Sequence, residues 1–134
     1  MYTGLMHSHR ALGWLLIVVT TFSVLLSLLA ATGAAGPKVT RVATILARFV
    51  ETSMFGLLGV TGLAMWVVGG WPIGTWWMWA GVGSVVLAGV VSARGVKPAL
   101  VATSQDPDNA MRWVAWAGLH WAIAVAVFSV MYAR

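Results

Sequence analysis

Cysteine is absent from this chain, acidic residues number only three, and charged residues of both signs make up 8% of its 134 positions. Each absence narrows the field. Without cysteine there is no disulfide, no thiolate metal site and no redox thiol, and the compartment cannot be inferred from disulfide usage. Three acids offer no pair of close carboxylates for hydrolysis. Nor is there a nucleophile elbow, a glycine-rich phosphate loop or a His-Glu-x-x-His zinc helix, so no catalytic motif is present and an enzyme is not expected. No repeat of 20 to 50 residues and no low-complexity tract organises the chain.

What remains is apolar. Hydrophobic residues make up 60% of the sequence, against eleven charged side chains. No soluble domain of this length buries that much apolar surface under so few charges. The apolar residues fall into four runs, about 11–33, 45–69, 73–93 and 110–132, each near the ~20 residues a helix needs to cross the hydrocarbon of a bilayer. The pattern predicts an all-α, integral membrane four-helix bundle forming one domain over 1–134. Arg10 and the small residues after Ala30 give the first run some likeness to a secretory signal, but its apolar core exceeds the usual ~7–15 residues, so a retained helix is expected.

The basic residues give an orientation. Lys38, Arg41, Arg48, Arg94, Lys97 and Arg112 fall at the ends facing the first and third connections, against Arg10 and Arg134 on the other side. Positive residues favour the cytoplasm, which predicts both termini on the outer side of a bacterial inner membrane and assigns the net charge of +5 to topology rather than to nucleic acid. Gly33, Gly36 and Pro37 break the first connection, and Pro98 and Pro107 the third, where Asp108 or Asn109 is placed to cap the fourth helix. Trp66, Trp71, Trp76, Trp77 and Trp79 surround the uncharged second connection, the distribution of an aromatic interface belt. Gly56, Gly59 and Gly62, and Gly81, Ser84, Ala88 and Ser92, supply small residues for close helix packing.

Two groups of residues carry chemistry. Glu51 and His120 lie in different apolar runs at nearly equal distance from the cytoplasmic ends, and ionisable groups inside a membrane mark functional sites by default. They could form a proton or cation relay, with Thr20, Ser23, Thr52, Ser53 and Ser84 extending a polar layer. Arg48, three residues before Glu51, has the spacing of an intrahelical ion pair and is the bland alternative. His120 could also be an axial ligand of a b-type haem, with Met54 opposite it; His9 is too far along the membrane normal to share that haem. At the outer mouth, Met6, His7 and His9, with Met65, Met78 and Met131 on the other helices, have the ligand softness that suits copper.

The segment Met6-His7-Ser8-His9-Arg10-Ala11-Leu12-Gly13-Trp14, followed by Arg48 and Gly59-Val60-Thr61-Gly62-Leu63, resembles the copper-resistance D family of small polytopic bacterial membrane proteins. That resemblance implies a helical inner-membrane piece that takes up or handles copper. The expectation is therefore copper or haem handling through His, Met and Glu groups, with lipid as the immediate partner. The alternatives are a non-catalytic accessory subunit of a larger respiratory or transport complex and a small homo-oligomeric channel.

Overall fold

The structure is a computed structural model describing residues 2–34 and 36–132, the Met131 side chain apart. Arg134 and the Met131 side chain, both used above, lie outside the described residues. Four helices dominate: α1 (Tyr2–Ala31), α2 (Pro37–Gly69), α3 (Trp76–Gln105) and α4 (Ala110–Tyr132). All four are long and apolar enough to cross a membrane. Each packs against its chain neighbours, and α4 closes the ring against α1, so α2 and α4 face each other across the diagonal.

The helices run past the apolar runs that predict them. α1 begins at Tyr2, α2 at Pro37, and α3 continues through Pro98 to Gln105. The polar stretches Pro37–Ile45 and Lys97–Gln105 lack the periodicity of a span but contain residues that tolerate helix, and Pro37 stands in the first turn, where its missing N–H is harmless. Pro98 should interrupt a helix, because its ring collides with the carbonyl four residues earlier. The chain avoids this by widening into a π-helical segment, Ser92–Val96, just before it. A second π segment, Leu46–Glu51, interrupts α2, and there the Thr52 hydroxyl donates to the Ala47 carbonyl at 3.2 Å, five residues back. α4 is entered through a 3-10 turn, Pro107–Asn109. Its cap is Asp106, whose carboxylate accepts from the Asp108 N–H at 3.1 Å. The expected caps, Asp108 and Asn109, are already inside the turn, because Pro107 occupies its first position.

The α2–α3 hairpin is knitted by indoles. Gly70 ends α2 in the left-handed region, φ 64°, its N–H donating to the Trp66 carbonyl. Trp66 Nε1 donates to the Trp71 carbonyl at 2.8 Å and Trp79 Nε1 to the Ile73 carbonyl at 2.7 Å. The rings of Trp71 and Trp77 pack edge to face, as do those of Tyr2 and Trp71. Trp66, Trp71, Trp77 and Trp79 therefore hold the turn's backbone and rings together in addition to any interfacial role.

The core forms two clusters. One, rich in alanine, joins Leu26, Ala43, Ala47, Val96, Trp113 and Ala117 near the first and third connections; the other joins Leu16, Met54, Phe55, Leu58, Ala88 and Ala124 nearer the hairpin. Small residues allow close backbone approach, the main source of helix association in lipid. Gly95, within the second π segment, is the tightest case, since a Cβ there would overlap the Trp116 ring. Gly62 and Gly59 are covered by His9 and Val85 respectively, so these two glycines serve packing within the chain. Gly95→Ala is expected to destabilise the bundle by about 1–3 kcal/mol through overpacking, with Trp116→Ala in the same chain recovering part of the loss. Denaturant unfolding in micelles followed by circular dichroism measures both.

Candidate functional site

Glu51 and His120 meet on the bundle axis. Glu51 ends the π segment of α2, about 27 Å from its Gly69 end at the helical rise. His120 lies on the inward stripe of α4 that also carries Trp113, Ala117 and Ala124, a spacing of three to four residues. His120 Nδ1 is 3.0 Å from Glu51 Oε2, with the two residues only 2% and 1% exposed. The approach is close in distance but too oblique for a hydrogen bond of good geometry, and Glu51 Oε1 and Oε2 and His120 Nε2 complete no hydrogen bond among the described residues. The Phe55 ring lies against the imidazole, 4.9 Å between centroids.

The pair sits between the two apolar clusters. Ala47 and Ala117 belong to one, Met54 and Ala124 to the other, and Glu51 and His120 fall between them on their helices. Apolar clusters thus flank the site on both sides, where an unpaired charge would cost several kcal/mol. One proton shared by the two groups leaves the pair with zero net charge, whichever atom carries it. Thr20 and Ser23 of α1 are buried, but the Thr20 hydroxyl is turned back onto the Leu16 carbonyl at 2.9 Å. Thr52 and Ser53 are exposed and do not extend the polar layer.

Arg48 takes no part. It is exposed and lies near the Phe49 ring, and the ion pair with Glu51 does not form among the described residues. The spacing of three residues brings side chains together only at 3.6 residues per turn. The π segment Leu46–Glu51 contains both residues, and its wider turn leaves them on different faces.

Met54, the expected second axial ligand, is packed in the apolar cluster with Phe55 and Leu58. Two cavities between helices, about 170 Å³ and 160 Å³, are lined by neither His120 nor Met54. At the other end of α1, His9 is half-buried, with Nδ1 2.7 Å from Thr61 Oγ1 and its ring over Gly62. His7 is exposed and Met6 half-buried. Among the described residues, no three His, Asp or Glu side chains gather where they could hold a metal ion. Met65 and Met78 are core residues.

Three polar residues have contacts that their positions in the sequence do not announce. Thr61 binds His9, and Ser92 and Lys97 line the cavity between α2 and α3. Pro98 was the available signal for the last two, because a proline within a helix demands a local widening that re-aims the residues before it.

No family model, curated protein or solved structure matches the chain.

Removing one partner from a buried pair leaves the other polar and alone. His120→Ala and Glu51→Ala are each expected to cost about 3–5 kcal/mol on that basis, and the double variant clearly less than their sum. Unfolding titrations in micelles give the coupling energy; strict additivity would mean that the two groups do not interact.

Proposed function

We propose that the chain is a membrane-embedded bundle in which Glu51 and His120 form a proton-binding station, so that a proton, or a cation exchanged for one, crosses the protein at this point. The observation that carries this reading is the 3.0 Å approach of a carboxylate and an imidazole that are both almost fully buried, each retaining a polar atom with no partner among the described residues. A pair that served only to satisfy itself would turn its remaining polar atoms onto neighbouring groups, as buried polar groups generally do. Here Glu51 Oε1 and His120 Nε2 are left available to receive and pass on a proton. The exposed apolar side chains of all four helices, Phe22, Leu57, Val86 and Leu119 among them, support placement in a bilayer. The bias of basic residues toward the first and third connections supports an inner membrane with both termini outside.

In liposomes carrying a pH gradient, the purified chain is expected to collapse the gradient faster than empty vesicles, and Glu51→Gln and His120→Asn are expected to bring the rate to background while the protein stays folded. Wild-type protein no faster than empty vesicles would overturn the relay and leave an accessory subunit that should co-purify with partners. A small homo-oligomeric channel would show the same Glu51 dependence, with flux rising steeply with protein-to-lipid ratio.

One observation favours a second reading, in which the chain handles haem or copper. An imidazole whose Nδ1 faces a carboxylate while Nε2 is unbonded has the outer-sphere arrangement of metal-ligating histidines. His120 would then hold a b-type haem, with Met54 as the expected opposite ligand, or the outer His7, His9 and Met6 would receive copper. Phe55 against the imidazole means that haem entry requires the helices to part. Absorption spectroscopy and metal analysis of the purified chain are the test: a Soret band lost in His120→Ala supports haem, copper lost in His9→Ala supports copper, and a colourless, copper-free protein overturns this reading.

A further inference from the structure

The cavity of about 160 Å³ between α2 and α3 has apolar walls, including Phe55 and Val85, and polar lining from Thr52, whose hydroxyl is committed to the Ala47 carbonyl, and from Ser92 and Lys97. Gly56 and Gly89 also line it and are exposed, so it opens sideways from the bundle rather than toward its axis. Ser92 is 6% exposed, and its hydroxyl finds no partner among the described residues, whereas a serine in a helix commonly turns back onto a carbonyl of the preceding turn, as Ser84 does.

Ser92 and Lys97 reach the same cavity because of the π segment between them. At 3.6 residues per turn, residues five apart point away from each other; in a turn closed by hydrogen bonds to the fifth residue, they align. The proline that forces the segment thus also brings these two residues into the cavity's polar lining.

The charges nearby are of one sign. Lys97 is half-buried and makes no ion pair among the described residues, and the π segments that lead into the lining residues Thr52 and Lys97 carry Arg48 and Arg94, both exposed. No acid answers them: Glu51 faces His120, and Asp106 and Asp108 lie in the turn before α4. A laterally open apolar trench lined by an ammonium and a hydroxyl that have no partner among the described residues complements an acyl chain attached to an anion.

We infer that this cavity is a binding site for an anionic phospholipid, its phosphate on Lys97 and Ser92 and a chain segment along Phe55 and Val85. The inference rests on the membrane placement of the bundle and not on the Glu51–His120 relay. A chain without proton flux leaves it standing, whereas one found in the soluble fraction ends both.

The test is native mass spectrometry of the full chain, purified in mild detergent and mixed with equal amounts of phosphatidylglycerol and phosphatidylcholine. The wild type should retain phosphatidylglycerol in preference. Lys97→Gln should reduce that preference about fivefold, the weight of one basic residue against an anionic lipid, and Arg112→Gln should leave it unchanged. Ser92→Val, checked for fold by circular dichroism, should weaken retention independently. Equal retention of the two lipids, or an unchanged preference in Lys97→Gln, would overturn the site; so would displacement of phosphatidylglycerol by millimolar inorganic phosphate, which would indicate a site for the free anion.

Discussion

The bundle is organised around a buried carboxylate and a buried imidazole that meet in its interior. Glu51 and His120 come from diagonally opposed helices, and their contact requires both helices to present one specific face inward. In lipid, apolar residues alone fix helix rotation weakly, because leucine packs about as well against acyl chains as against another helix. A buried polar pair removes that freedom, since turning either helix would carry an ionisable group onto the apolar outer surface, which in a bilayer is hydrocarbon. The alanine-rich cluster on one side and the Phe55 cluster on the other then close around a register that the polar contact has set.

Much of the fold could be read from the sequence. Four apolar runs gave four helices, and counting residues along them brought Glu51 level with His120. The ends of the helices were less legible, because the apolar pattern marks what faces hydrocarbon whereas the helix itself continues wherever the backbone can. The segment 97–105 shows this: Pro98 looks like a stop, and the chain passes it by widening one turn. The same limitation hid the position of Arg48. Helical spacing assumes 3.6 residues per turn, and nothing in the local sequence Leu46-Ala47-Arg48-Phe49-Val50-Glu51 announces a π turn. Depth was therefore easier to derive than direction. Depth depends only on rise per residue, while direction depends on a twist that a single inserted residue alters.

The two π segments give the molecule its departures from a plain bundle. One turns Arg48 away from Glu51, leaving the carboxylate to His120 alone. The other aligns Ser92 with Lys97 and places Gly95 under Trp116. Local widenings of this kind cost hydrogen-bond geometry and are found frequently at functional sites. Both lie at the boundary between the apolar length of a helix and its polar extension.

If the chain spans a bilayer as proposed, the indole-bound turn between α2 and α3 bears on how it enters. From Gly69 to Trp76 there is no formal charge, and two of the turn's carbonyls are already occupied by Trp66 and Trp79. Carrying this stretch through hydrocarbon therefore requires neither a bare ion nor the full dehydration of those two peptide oxygens. In a bilayer the central pair of helices would thus be suited to integrate together as one hairpin.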